Sequence, residues 1–254
     1  MLLSFPNERT ALVKLYDEAP LYILQMCSGD NRFNRTFVQA LHSALDHISS
    51  RPILGRALIT IGTDRFFSNG LDLATISTDA HLSPPDFMSI CYFPLLQKML
   101  NLGMPTVAAI NGHAYAGGLV LAMAHDYRIM RTDRGYLCMN EILLPSPIPN
   151  GMLSLLKAKI SNRPLLRDIV LTAKRLSAQQ ALDAGLVDDT CDNDSLLPKA
   201  KEIALTLTKI NTETFHTIKT ELNKEAIAAL HEKAPNDLFD IYLREMSKIK
   251  NSKI

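Results

Sequence analysis

The spacing of apolar residues along this chain changes at about residue 160, and the change predicts two kinds of structure. Before it, short apolar runs alternate with stretches of helical spacing; after it, only helical spacing recurs. Alternating strands and helices favour βαβ units around a mostly parallel sheet. We therefore predict an α/β core followed by helices. We count the first helices beyond residue 160 with the core, residues 1–190, and the remainder as a C-terminal helical region, residues 191–254.

The predicted strands are short. Apolar runs at 11–16 and 21–26 flank a turn-prone stretch and predict a hairpin, and a run at 56–61 is apolar on both faces, as in a central parallel strand. Further strands are predicted at 106–110 and 127–131. Helices are predicted near 37–48, at 86–102 with a kink at Pro94, and at 163–172, 177–184, 198–210, 212–231 and 236–249.

The stretch 106–126 is the most apolar part of the core. It reads as a strand, a turn at Asn111-Gly112, and a helix with no charge before His125. A buried helix leaves its first N–H groups unpaired, and Gly117 and Gly118 would let a ligand approach them closely. The stretch therefore predicts a site for negative charge. The alternative is an ordinary strand, turn and helix whose glycines serve only close packing.

Composition narrows the classes of partner. With a net charge of +1, 47% hydrophobic and 21% charged residues, the chain shows no bias toward nucleic acid or anionic membranes. The four cysteines lack CxxC spacing and are expected to be free thiols in a reducing compartment. We expect a cytoplasmic protein without a metal site. The terminal Ser252-Lys253-Ile254 is close to the peroxisomal Ser-Lys-Leu signal, which leaves the peroxisomal matrix open beside a plain lysine-rich tail.

Three loops that follow predicted strands carry the candidate chemistry. They contain residues 68–73, residues 116–118 and Glu141. Loops at the carboxyl ends of neighbouring strands share one site, and two peptide N–H donors with one carboxylate suffice for proton transfer beside a carbonyl. Flanked by Met139 and by the apolar run 142–144, Glu141 should have a raised pKa. The alternative is a structural carboxylate that caps a helix.

Four segments in order, 67–73, 105–126, 140–144 and 171–188, resemble the signatures of the enoyl-CoA hydratase/isomerase (crotonase) superfamily. The resemblance implies a crotonase-like ββα superhelix with a C-terminal helical trimerisation region. It also implies that residues 1–190 bind acyl-CoA, with the thioester oxygen held by the backbone N–H groups of Leu71 and Gly117. We interpret Asp72, which also matches, as a structural helix cap.

One departure from the family pattern bears on the reaction. Hydratases of this superfamily carry two glutamates; the first position is Val120 here, and the second is Glu141. One carboxylate is enough to move a proton between C2 and C4 of an acyl chain, and residues 111–114, 139–142 and Pro149 look most like the Δ3,Δ2-enoyl-CoA isomerase branch. We expect that isomerase; an enoyl-CoA hydratase and a non-catalytic acyl-CoA-binding member remain the alternatives.

The resemblance also predicts how the substrate lies. CoA, which is part of the substrate and the only cofactor-like group expected, should run along Asn31, Arg32 and Phe33 beside Gly70 and Leu73. The acyl chain should meet an apolar wall on the helix 86–102. A homotrimer or dimer of trimers is implied, with no nucleic-acid or membrane partner. The residues concerned are Met88, Ile90 and Phe93 for the wall, and Leu238, Ile241, Tyr242, Met246 and Ile249 for an apolar stripe on the last helix.

Overall fold

The structure is a computed structural model that describes residues 1–144 and 146–251. Its strands are β1 (Leu2–Phe5), β2 (Val13–Glu18), β3 (Leu21–Met26), β4 (Ala57–Ile61), β5 (Phe66–Ser68), β6 (Thr106–Ile110), β7 (His113–Tyr115), β8 (Tyr127–Arg131), β9 (Leu137–Cys138) and β10 (Asp189–Cys191). Its α-helices are α1 (Arg35–Ser49), α2 (Leu73–Ile76), α3 (Pro84–Phe87), α4 (Phe93–Leu100), α5 (Gly117–Ala124), α6 (Asn150–Lys159), α7 (Arg163–Thr172), α8 (Ala178–Asp183), α9 (Asn193–Leu207), α10 (Thr212–Leu222), α11 (Lys224–His231) and α12 (Asp240–Asn251).

The larger sheet has the strand order β1-β2-β3-β4-β6-β8-β10. Its first three strands pair antiparallel, and every pairing from β3 to β10 is parallel. Both faces of its centre are covered: one lies in the main core, while Ile59, Val107 and Ile129 on the other pack against α9. The predicted hairpin, the parallel sheet and the doubly buried central strand are confirmed, and the α/β fold class with them.

A second, smaller sheet was not foreseen. It contains the parallel strands β5, β7 and β9, with His113 beside Phe66 and Ala114 beside Leu137. The stretch 106–126 is therefore not a strand that turns directly into a helix, because β7 lies between them. Strands of two or three residues are too short to show a period of two in the sequence. The three candidate loops follow the strands of this small sheet.

The predicted helix 86–102 is instead three pieces. Between α3 and α4 the backbone forms a π-helical turn, Met88–Tyr92, in which the N–H of Phe93 bonds to the carbonyl of Met88. Pro94 lies in the first turn of α4, where its missing N–H costs no helical hydrogen bond. The predicted restart of the helix near Pro94 is confirmed, since α4 begins at Phe93, and Tyr92 is the last residue of the π turn.

The C-terminal part is not purely helical, since β10 pairs with β8. The capping box at Ser177 and Gln180 is confirmed. Helix α9 begins five residues before the predicted 198, because Asp192 caps it by accepting from the N–H of Ser195 at 2.8 Å. The predicted helix 212–231 is interrupted at Asn223, giving α10 and α11, and the last helix begins at 240 rather than 236.

The four cysteines are free, as predicted. Among the described residues, no helix has the length and apolar character needed to cross a membrane. The division at residue 190 stays a prediction.

Candidate active site

The loop from Asn69 to Asp72 follows β5 and is held by the backbone of the segment before α1. The N–H of Asn69 bonds to the carbonyl of Asp30, the N–H of Phe33 to that of Gly70, and the N–H of Asp72 to that of Phe33, at 2.8–3.0 Å. Asp72 caps α2 by accepting from the N–H of Thr75, as predicted. The bond to the Gly70 carbonyl also fixes the direction of the Leu71 N–H, because both groups belong to one planar peptide unit.

Gly70 lets this loop approach the one after β7. It is buried at φ +76°, and a Cβ there would lie 2.9 Å from the Cβ of Ala116 and 3.3 Å from the nitrogen of Gly117. Any side chain at Gly70 would therefore push the two loops apart. Gly70 was predicted to lie beside CoA. In the structure its lack of a side chain is what allows the two loops to approach each other.

Ala116 adopts a strained conformation at the start of α5, with φ 53° and ψ −125°. This region is costly for a residue with a side chain, and it persists only where the surroundings enforce it. The N–H of Ala116 donates to the carbonyl of Cys138 at 2.8 Å, which ties the turn to β9. Because Gly117 is the first residue of α5, its N–H has no acceptor within the helix and is available to a ligand.

The N–H groups of Leu71 and Gly117 find no acceptor within residues 1–144 and 146–251. The N–H groups of Asn69, Gly70 and Asp72 around Leu71 are bonded, that of Gly70 to the Ser68 hydroxyl at 3.3 Å, and so is that of Ala116 before Gly117. Unpaired backbone donors are costly in a protein interior, so a pair of them at one site indicates a ligand oxygen.

Glu141 begins a short 3₁₀ turn, Glu141–Leu143, after β9. It is 8% exposed, and its Oε2 has no hydrogen-bond partner in the described part of the chain. Burial raises the pKa of Glu141 to about 7. The predicted direction is confirmed, although the reason differs: Ile142 and Leu143 are 49% and 66% exposed, so the desolvation comes from the fold around the carboxylate.

These groups border a cleft of about 310 Å³, lined by Arg32, Asn69, Leu71, Leu73, Ala74, Ala116, Asn140, Glu141, Leu144, Ser146 and Tyr242. Of the predicted CoA-binding residues, Arg32 and Leu73 lie on its wall. The Arg32 guanidinium is half-exposed and 3.4 Å from the Asp30 carboxylate. The cleft thus holds one predicted cation, one predicted base and the Leu71 end of the donor pair.

Asn31 and Phe33 lie behind this wall. Both are fully buried, and the Asn31 amide donates to the carbonyls of Met26 and Phe67 at 3.2 and 3.1 Å. The side chains of these two residues do not line the cleft, and their predicted position along CoA stays a prediction. They hold the loop that carries Leu71.

The predicted acyl wall is also changed. Ile90 is 62% exposed, while Met88 and Phe93 are buried in the core and do not line the cleft. Ile90 lies within the π turn, where α-helical spacing does not apply, so the sequence pattern could not place it.

Two polar residues of the cleft were missed by sequence reasoning. The Oδ1 of Asn140 is buried without a partner among the described residues, and Tyr242 reaches the wall from α12. Asn140 could have been noticed as a polar neighbour of the candidate base. Nothing in the sequence places Tyr242 at the cleft, because that contact depends on how the last helix folds back.

A family model described as enoyl-CoA hydratase/isomerase matches residues 23–245. The chain belongs to this family. Enoyl-CoA delta isomerase 3 of Arabidopsis thaliana is 34% identical over 212 residues, 81% of this chain and 89% of that protein. Peroxisomal enoyl-CoA delta isomerase 1 of the same plant is 38% identical over 170 residues, 66% of this chain and 70% of that protein.

Among solved structures, an enoyl-CoA hydratase from Mycobacterium marinum superposes with a TM-score of 0.79 at 26% identity. The match covers 88% of this chain and 96% of that one. The crotonase-like fold expected from the four sequence segments is thereby confirmed. Because family members of this fold carry both hydratase and isomerase names, the reaction has to be argued from the side chains of the cleft.

Proposed function

We propose that the protein is a Δ3,Δ2-enoyl-CoA isomerase. The observation that carries this is the number of carboxylates: Glu141 is the one acid among the described residues that line the cleft. Val120, at the position of the first family glutamate, is fully buried within α5. Adding water across a double bond requires a positioned water and groups that handle its protons, and one carboxylate serves that task poorly.

The reaction needs only the groups that the cleft holds. The N–H groups of Leu71 and Gly117 donate hydrogen bonds to the thioester oxygen, and the Glu141 carboxylate removes a proton from C2 of a 3-enoyl-CoA. The electrons of that C–H bond pass into a dienolate, whose negative oxygen the two N–H groups stabilise. Glu141 then returns the proton to C4, which gives the 2-trans-enoyl-CoA.

The raised pKa of Glu141 suits this double role. A carboxyl group whose pKa is about 7 takes up and releases a proton with little bias at neutral pH. An ordinary carboxylate would hold the transferred proton too weakly. Curated relatives named enoyl-CoA delta isomerases support the same reaction.

We extend the proposal to the substrate and the cell. The CoA phosphates lie near Arg32, the reaction serves fatty-acid β-oxidation, and no cofactor beyond the CoA of the substrate takes part. The protein assembles as a trimer or a dimer of trimers. For its location we propose the cytoplasm or the peroxisomal matrix; the relative named peroxisomal supports the second, while the terminal Ser252-Lys253-Ile254 lies outside the described residues.

The test compares two reactions of the wild-type protein. We expect conversion of a 3-enoyl-CoA to the 2-enoyl isomer to be faster than hydration of a 2-enoyl-CoA of equal chain length. Val120→Glu supplies the missing acid and should not be needed for isomerisation. Faster hydration by the wild type would overturn the isomerase in favour of the hydratase, and failure of both reactions with retained acyl-CoA binding would favour a non-catalytic member.

A further inference from the structure

Tyr92 contacts the same glycine whose N–H is one of the two unpaired donors. The tyrosine is fully buried at the end of the π turn, and its hydroxyl donates to the carbonyl of Gly117 at 2.5 Å. A Cβ on Gly117 would lie 2.9 Å from that hydroxyl. The tyrosine is therefore in direct contact with Gly117, which provides one of the two donors.

Phe33 connects Tyr92 to the other donor. Its ring lies 5.1 Å from the Tyr92 ring, centroid to centroid, and its backbone N–H and carbonyl bond to Gly70 and Asp72 on either side of Leu71. The two donors lie on different loops after different strands. The Phe33–Tyr92 ring pair is a packed connection between those loops.

The strain at Ala116 explains why such a connection is needed. A residue at φ 53° and ψ −125° relaxes unless its neighbours hold it in place. On one side, the bond from Ala116 to the carbonyl of Cys138 holds the turn. On the other side, the Tyr92 hydroxyl donates to the carbonyl of Gly117, in the peptide after the N–H of that residue, and so restricts the rotation of Gly117 about its Cα–C bond.

We propose that Tyr92 is a positioning residue that fixes the Gly117 N–H relative to that of Leu71, so that both reach one substrate oxygen. This rests on the proposed function. Tyr92 is not among the residues lining the cleft, so it acts through Gly117. Burial, together with the negative charge of Glu141, keeps the pKa of Tyr92 well above its usual value, so the hydroxyl remains a donor at the pH of the reaction.

The test removes the hydroxyl alone, with Tyr92→Phe. The matched control is Tyr22→Phe, because Tyr22 is equally buried and its hydroxyl has no partner in the described residues. One readout is kcat and KM for isomerisation. The second is the near-ultraviolet absorbance of a bound 3-ketoacyl-CoA, whose enolate fraction at saturation rises when two donors hold the oxygen.

We expect Tyr92→Phe to lower kcat by roughly 10- to 100-fold with little change in KM, less than the loss of a whole donor. The enolate absorbance should fall in parallel, whereas Tyr22→Phe should leave both unchanged. Phe33→Leu keeps the backbone bonds and removes the ring contact. It should also lower the enolate absorbance, which provides a second test if Tyr92→Phe does not fold.

Wild-type kcat and enolate absorbance in Tyr92→Phe would overturn the proposal, as would an equal loss in Tyr22→Phe. Absence of the enolate signal in the wild type would also overturn it, because the donors would then not hold an oxyanion. The enolate readout needs only binding of a CoA thioester. A wild type that shows this signal without isomerising would refute the proposed function and leave the role of Tyr92 decided by its own variants.

Discussion

Burial raises the pKa of Glu141, so the rate of isomerisation should depend on pH in a direction that can be predicted. Only the ionised carboxylate accepts a proton, and its pKa in the fold is about 7. We therefore expect kcat/KM for isomerisation to rise about tenfold per pH unit below 7 and to level off above it. A pH–rate profile of the wild type measures this, and a profile that is flat between pH 5 and 8 would contradict it.

Stability gives an independent check that this pKa belongs to Glu141. The pKa is raised from 4.5, so the fold favours the protonated carboxyl. That contribution is complete below about pH 4.5 and is lost as the pH rises through about 7. The free energy of unfolding of Glu141→Gln, relative to that of the wild type, should therefore increase by on the order of 3 kcal/mol from pH 5 to pH 8. Denaturant unfolding of both proteins at the two pH values measures this.

Arg32 is the residue proposed to meet the CoA phosphates. Its partner Asp30 is a weak competitor, because ion pairs between half-exposed side chains contribute little. Arg32→Ala should raise KM for acyl-CoA several-fold and leave kcat nearly unchanged, since a remote contact is equally strong in the ground and transition states.

Kinetics at low and physiological salt separate this effect from a general charge effect. The rise in KM should shrink as salt increases. Arg9→Ala, an exposed arginine that does not line the cleft, is the matched control. A KM for Arg32→Ala equal to that of the wild type at low salt would place the phosphates elsewhere.

The sequence predicted Glu141 as the base and Leu71 and Gly117 as the donors, and these roles stay predictions. It could not distinguish residues that line the cleft from residues that support its wall. Asn31 and Phe33 lie next to Arg32 in the chain, yet their side chains point inward. The side-chain directions of these three residues depend on their contacts with the loop 69–72, and a local sequence pattern does not contain that information.

At the scale of elements, contact between β5 and α5 sets the geometry of the donors. A Cβ on Gly118 would lie 2.3 Å from the carbonyl oxygen of Ser68. Alanine is the better helix former by about 1 kcal/mol, but this collision is with backbone, which has no flexible end to move away. We expect Gly118→Ala to destabilise the protein by about 1–3 kcal/mol and to lower isomerisation, because the loop before Leu71 must shift.

Chemical denaturation and the isomerisation assay measure the two effects. Gly103→Ala is the matched control: its Cβ would meet the end of the flexible Ile53 side chain at 2.6 Å, away from the cleft. It should cost less than Gly118→Ala and leave kcat unchanged. A Gly118→Ala protein as stable and active as the wild type would show that the contact is not needed.

The long elements were predictable, and the short ones were not. Helix α1, strands β4, β6 and β8 and the hairpin of β2 and β3 have enough residues to show their period. Strands β5, β7 and β9 have two or three residues each, and they place all three loops of the site. The sequence thus indicated three loops that the structure brings near one cleft, but it assigned them to the wrong strands.

At the scale of the whole molecule, apolar side chains on the surface bear on assembly. A groove of about 360 Å³ is lined by Ile142, Pro147, Leu171 and Ile241, among others, and Leu171 is 60% exposed. Surfaces of this kind are usually covered by a partner. Of the predicted stripe on the last helix, Leu238 is buried and Ile241 is half-exposed, while the side chains of Met246 and Ile249 lie outside the described residues.

We expect light scattering at micromolar concentration to give three or six times the chain mass of 28.2 kDa. Leu171→Asp, which places a charge in the groove, should lower that mass if the groove is part of the interface. A mass of one chain for the wild type would reject the proposed trimer. The proposed reaction would not be rejected with it, because Leu71, Gly117 and Glu141 belong to the same chain.

The central claim is that Glu141 alone moves the proton, and Glu141→Gln tests it most directly. The amide keeps the shape of the side chain but cannot accept a proton, so no cavity confuses the result. We predict that kcat for converting a 3-enoyl-CoA falls at least 100-fold while acyl-CoA still binds. Glu225→Gln, at an exposed position on α11, should match the wild type. A loss of less than about 10-fold in Glu141→Gln would contradict the account, because a positioned general base contributes more than that.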